Sequence, residues 1–99
     1  MRLKAMLPDH PEYRKAMIHT EDRGSTYLFL FASAGNVPCS ADYWFVEQAG
    51  ALEYAAETYG IAAEQWIEIA DRQPGQQQDL EYDERGALLR ISCLIDRIL

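Results

Sequence analysis

Ninety-nine residues, 48% hydrophobic and 25% charged with eleven aromatic rings, suffice for one packed domain over residues 1–99 and are too apolar for a disordered chain. The net charge of −7 opposes direct binding to nucleic acid or to an anionic membrane, since both need clustered lysine and arginine. No apolar run approaches the roughly 18 residues of a spanning helix, and residues 1–8 lack the apolar stretch of a signal peptide, so a cytoplasmic location is expected.

The charge is unevenly placed. Residues 42–84 hold eleven acidic groups against Arg72 alone, whereas the two ends are slightly basic. Such a segment either suits a basic partner protein or simply keeps the surface soluble. In a reducing compartment Cys39 and Cys93 read as free thiols.

Residues 1–7 suit a short strand. Residues 12–20 and 27–32 flank Glu21-Asp22-Arg23-Gly24, a polar tetrad ending in glycine that fits a hairpin turn. Tyr27, Phe29 and Phe31 alternate with Leu28 and Leu30, so both faces of the second limb are apolar. That pattern predicts a central strand or one covered on both sides. A rival for the first limb is a helix capped by Asp9 with Pro11 in its first turn; the strand is preferred because the second limb needs a neighbour.

Residues 33–40 form a loop by composition. The longest helix-periodic run covers residues 46–59 and ends at Gly60, a natural C-terminal cap. Val46, Ala49, Leu52, Ala56 and Tyr59 recur three or four apart and form the expected inward face, with Glu47, Glu53 and Glu57 outside it. Gly50 costs such a helix about 1 kcal/mol relative to alanine, so either close packing compensates or the helix is weak there. Asp42 is the best capping type nearby, but a cap there would draw Tyr43-Trp44-Phe45 into the helix.

Residues 61–66 suit a short helical turn, and Trp66, Ile67 and Ile69 are expected to anchor the chain back onto the core. After a loop marked by Pro74-Gly75, a second hairpin is expected, with Asp83-Glu84-Arg85-Gly86 as its turn and residues 87–95 as its last strand. A helix is the rival for that last segment, since Leu88, Ile91, Ile95 and Ile98 also sit three or four apart. The expected fold is α+β: a mostly antiparallel sheet of about four strands in two hairpins, carrying one main helix on one face.

Motifs for chemistry are sparse. His10, His19, Cys39 and Cys93 fall at no zinc-binding spacing, so no metal or other cofactor is expected. Cys39 precedes the helix by too many residues for its dipole to activate the thiol. Glu53 and Glu57, four apart, read as a solvated pair rather than an acid–base couple. The glycines are scattered singly, without a phosphate-binding fingerprint. Three successive aromatics, Tyr43, Trp44 and Phe45, cannot all point inward from a regular segment, so at least one is expected at the surface.

Asp42-Tyr43-Trp44-Phe45, then Ala51-Leu52-Glu53-Tyr54-Ala55, Tyr59-Gly60-Ile61 and Trp66-Ile67-Glu68-Ile69, resemble a family of small bacterial proteins of about this length with no established activity. So do Tyr13-Arg14-Lys15 and Tyr27-Leu28-Phe29-Leu30 upstream, and Pro74-Gly75, Gln77 and Asp79 downstream. The likeness spans residues 12–79. It implies strand, strand, helix in that order and transfers no catalytic residue. The chain departs from the family at Val46-Glu47, where members tend to carry a polar cap, and in the apolar segment after Asp79.

The leading functional expectation is a small acidic interaction module without catalysis, of an accessory, regulatory or immunity type. Its candidate contact residues are Tyr43, Trp44, Phe45, Glu47, Glu53 and Glu57. The alternative is a small enzyme or ligand-binding domain with a cleft beside the main helix, using Cys39, His19 or nearby carboxylates. A homodimer through Leu94, Ile95, Ile98 and Leu99 is a third expectation.

Overall fold

A computed structural model describes residues 1–89. Five strands form one antiparallel sheet: β1 (Arg2–Met6), β2 (Lys15–Thr20), β3 (Thr26–Phe31), β4 (Ala41–Phe45) and β5 (Ile67–Ile69), in the order β4-β3-β2-β1-β5. The first four make a simple meander. The single α-helix, α1 (Gln48–Tyr59), then crosses one face, and the chain passes a 3-10 turn (Ala63–Gln65) before β5 joins β1 at the far edge.

The expected α+β fold of an antiparallel sheet with one helix on one face forms, with five strands against about four expected and some of them from other segments. The first hairpin forms as predicted: Gly24 takes a positive φ of 96°, and Glu21 donates its N–H to the Ser25 carbonyl at 2.8 Å. The first limb starts at Lys15 rather than at residue 12. The aromatic stretch before the helix is itself β4, and Ile67–Ile69 supplies β5. The second hairpin is not part of the sheet among the described residues. There Tyr82 bridges Leu88 only, Leu89 donates to the Glu81 carbonyl, and Gly86 carries the turn with φ 89°. The rest of the expected last strand, the residues of the expected dimer contact and Cys93 lie outside the described residues.

Strand alternation sorts the side chains into two layers. Toward α1 lie Leu3, Ile18, Leu28 and Tyr43 in one row across β1 to β4, and Ala5, Ala16, Leu30 and Ala41 in the next. Three alanines in that second row leave room for a helix to approach closely. The helix answers with Ala51 and Ala55, both fully buried and one turn apart. This corrects the expected inward face. Ala49 and Ala56 are exposed, Val46 is 73% exposed, and the helix starts at Gln48. A strand that runs to Phe45 delays the start, and the shift rotates the buried stripe onto Ala51, Leu52, Ala55 and Tyr59.

Glu47 occupies the N-cap position without a capping side-chain bond, while Asp42 sits inside β4. Gly60 closes the helix in the left-handed conformation at φ 69°, its N–H reaching the carbonyls of Ala55 and Ala56. Gly50 needs no special space, since a Cβ there would lie 3.7 Å from a Phe45 ring carbon, an ordinary contact.

β3 lies inside the sheet between β4 and β2 and is covered on both sides, as its two apolar faces predicted. Leu28 and Leu30 pack under the helix, and Phe29 and Phe31 bury into the opposite layer with Met17. Burial of side chains of this size contributes about 1.5–3 kcal/mol each.

Candidate functional site

Two regions separate chemically: the β4 edge beside α1, and the sheet face opposite the helix.

β4 has one strand neighbour, β3, and none on its outer side among the described residues. Alternation sends Tyr43 and Phe45 toward the helix and Trp44 to the opposite face, where it pairs across the strands with Tyr27. Phe45 packs against Tyr54 at 5.4 Å between ring centroids, and Tyr43 meets the same ring at 5.3 Å. Tyr59 donates its hydroxyl to that of Tyr43 at 3.3 Å. Burial, followed by the Tyr43 hydroxyl, pushes the Tyr59 phenol above its ordinary pKa.

Trp44 remains 57% exposed and Tyr43 38% exposed. The expectation that at least one of the three rings stays at the surface therefore holds for two of them, and Phe45 is the one drawn inward. Asp42, Glu47, Glu53 and Glu57 are all exposed. Glu53 shares a surface with Leu52 and Ala56. Of the six predicted residues, Tyr43, Trp44 and Phe45 lie on β4 and Glu47 follows it, whereas Glu53 and Glu57 lie on the exposed side of α1.

The opposite face holds an arrangement that the sequence reading missed. Lys15 is completely buried, and its ammonium donates to Glu81 Oε2 at 2.8 Å and to the Gly35 carbonyl at 3.0 Å. It also stands 4.3 Å from the centroid of the Phe31 ring. Lys4 binds the other carboxylate oxygen of Glu81 at 2.8 Å. Asn36 holds the Glu81 backbone from both sides, accepting its N–H at 2.8 Å and donating to its carbonyl at 2.9 Å. Arg2, also fully buried, donates to the carbonyls of Ala70, Gln78 and Leu80. The segment after β5 is thereby strapped across the sheet by charge-assisted bonds.

Burial alone would raise the Glu81 pKa; the Lys15 and Lys4 ammoniums outweigh it and hold the carboxylate below its ordinary value. Asp79 behaves alike, because the Cys39 N–H, 2.7 Å away, and the Gln77 amide offset its burial. The Cys39 thiol is pushed up to about 11, first by burial and then by Asp79. That is the reverse of an activated nucleophile. A cavity that includes His19 is bounded by the end of β2, the turn after it and residues 71–74, and Cys39 does not line it.

One signal for this layer was present in the sequence. Arg2, Lys4, Lys15 and His19 alternate with apolar residues, and Phe29 and Phe31 on the strand beside β2 point the same way. A face that must cover two phenylalanines also covers the lysines, and it then needs an acid.

A third feature is a cavity of about 390 Å³ between α1 and β1, lined by Leu3, Leu52, Ala56, Ile61 and Trp66 with Glu53 beside them. The Trp66 indole N–H is buried without a hydrogen-bond partner. Among the described residues no group of three or more His, Cys, Asp or Glu is placed to hold a metal, and no helix is long and apolar enough to cross a membrane. Comparison with family models, curated proteins and solved structures gave no match to this chain.

Proposed function

We propose that this protein is a non-catalytic binding module that takes an extended, basic segment of a partner protein along the open edge of β4. The observation that carries the reading is Trp44: a large aromatic, 57% exposed, on a strand without an outer neighbour among the described residues. An open strand edge offers unpaired backbone groups, and a partner strand adds to it by main-chain hydrogen bonds. Trp44 then supplies an apolar anchor. Asp42 and Glu47 at the edge make lysine or arginine the favoured partner charge. The family likeness seen in the sequence adds no activity to this reading.

The test is amide hydrogen exchange on the whole chain, with basic, strand-prone peptides selected from a displayed library. Slowed exchange of the β4 amides, together with affinity that falls as salt rises, supports the proposal. Peptides that bind while leaving β4 exchange unchanged would sink it.

A second reading rests on the cavity beside α1. Its volume and apolar lining fall in the range of small-molecule sites. A small apolar molecule is the occupant this lining favours. Chemical-shift changes confined to Leu3, Leu52, Ile61 and Trp66 on adding such compounds would support it.

A further inference from the structure

The described residues end at Leu89, close to the loop that leads into β4. Leu88 bridges Tyr82 in the antiparallel sense, and Leu89 donates its N–H to the Glu81 carbonyl at 3.0 Å. Asn36, in the loop before β4, donates its side-chain amide to the Leu89 carbonyl at 2.6 Å. Because it runs antiparallel to residues 81–82, the chain leaves Leu89 heading from Glu81 toward Asp79. The Asp79 carboxylate in turn accepts the Cys39 N–H at 2.7 Å, just before β4 begins at Ala41. The path of the chain therefore points at the start of β4.

Length permits the approach. The stretch from Asn36 to Ala41 spans at most about 17 Å, and Arg90 to Leu99 reach about 33 Å when extended. The difference, about 16 Å, is the length of a strand of five residues such as β4. Composition suits the same place. Leu89, Ile91, Cys93 and Ile95 alternate with Arg90 and Ser92, the pattern of a strand with one apolar face. Arg90 and Arg97 outnumber Asp96, the one acid in this segment, whereas Asp42 and Glu47 stand exposed at the β4 edge.

An open edge beside exposed apolar side chains is a liability that folded chains usually cover. Alternation places Asp42 and Trp44 on the sheet face opposite α1, the face across which Glu81 reaches Lys4 and Lys15. Trp44, Leu88 and Leu89 are all exposed. A basic strand with one apolar face answers each of these demands: it pairs the backbone of β4, covers the indole, and brings arginine to the two acids.

We infer that residues 90–99 occupy the outer edge of β4 in the free chain, as an internal stand-in for the partner strand, and that a partner binds by displacing them. This rests on the β4 edge being the binding site and adds that the chain's own basic segment regulates it. The tether from Leu89 is short, so the segment meets the edge at an effective concentration on the order of millimolar. A partner strand must bind more tightly than a free peptide of the same sequence would.

The experiment is amide hydrogen exchange on the intact chain and on two full-length variants, Ser92→Pro and the pair Arg90→Glu with Arg97→Glu. Proline removes a backbone donor that a paired strand needs. The charge reversal turns attraction to Asp42 and Glu47 into repulsion. In the intact chain the β4 amides that face away from β3 are expected to be protected, at a level independent of chain concentration. Each variant should speed their exchange about tenfold while leaving β1 to β3 protected. Each should also raise the affinity of an uncharged, strand-prone peptide about tenfold, since the edge is then free more of the time. Exchange at β4 that is unaltered in both variants would overturn the inference even if peptides bind. Protection that rises with chain concentration would assign the edge to a second copy and overturn it as well. Faster β4 exchange in the variants without peptide binding would support the internal strand and remove the partner reading instead.

Discussion

Lys15 and Glu81 stand 66 residues apart in the chain and meet at 2.8 Å in the interior, with side-chain exposures of 0% and 2%. Neither charge is tolerable there without the other, because an isolated buried ion loses its hydration without recompense. Loss of one partner is therefore more damaging than loss of both. Glu81→Gln is expected to cost about 3 kcal/mol, and Lys15→Met combined with Glu81→Gln to recover part of that loss. Urea denaturation of the two single variants and the double variant measures the coupling.

The same layer sets the response to acid. Glu81 and Asp79 are both held below their ordinary values in the fold, so the unfolded chain binds protons first. Their contribution is fully present above the ordinary glutamate value of 4.5 and is lost as pH falls through the lower folded values. His19 acts earlier. Its folded pKa of about 4 lies below the ordinary 6.5, so the unfolded state takes up a proton between those values and stability declines as pH drops from 6.5 to 4. The expected loss over that window is on the order of 2 kcal/mol. His19→Phe should flatten this slope and leave the steeper fall below 4.5, as read from urea midpoints against pH.

Gly50 and Gly60 make a contrasting pair. Gly50 lies in an ordinary helical position with room for a methyl group, and Gly50→Ala is expected to stabilise the chain by about 1 kcal/mol. Gly60 has φ 69°, and Gly60→Ala is expected to cost about 1 kcal/mol because a Cβ is strained in that conformation. Thermal unfolding followed by circular dichroism should move in opposite directions for the two.

On β4 the neighbouring aromatics should separate binding from stability. Trp44→Ser is expected to change stability by less than about 1 kcal/mol, yet to abolish binding of a strand-adding basic peptide. Phe45→Ala removes a ring packed on Tyr54 and is expected to cost about 2–3 kcal/mol. A peptide affinity unaltered by Trp44→Ser would remove the case for the β4 edge.

Cys39 should react slowly. With a thiol pKa of about 11 it holds little thiolate at neutral pH. In a Cys93→Ser background, alkylation by iodoacetamide at pH 8 is expected to be much slower in the folded chain than in urea. Equal rates would show that the burial and the Asp79 contact do not protect it.

Much of the architecture was readable before any coordinates. The Gly24 turn, the two apolar faces of Tyr27–Phe31, the Gly60 cap and the surface position of at least one ring of Tyr43-Trp44-Phe45 all follow from local patterns. These are short-range properties: a backbone angle that glycine allows, an alternation of period two, a crowd of rings that one segment cannot bury. The inward face of α1 was misjudged for a short-range reason as well. Val46 and Ala49 fit the helical period, but the run of strand through Phe45 moved the helix start by two residues and turned the stripe.

Long-range pairing was a different matter. That Ile67–Ile69 would return as a strand beside β1 depends on α1 spanning the sheet from one edge to the other, and no local pattern carries that distance. Nor could any window of sequence show that Lys15 and Arg2, placed like solvent-facing residues, would be covered by residues 71–89. The sequence by itself determined the strands of the first hairpin, the helix with its C-terminal cap, and the acidic, aromatic character of the β4 region. Only the tertiary structure decided that β4 is an edge, that Glu81 neutralises two lysines in the interior, and that His19 and Arg72 share one cavity. The physical reason is that patterning reports which groups prefer burial, whereas partners for buried charges are chosen by the path of the chain through space.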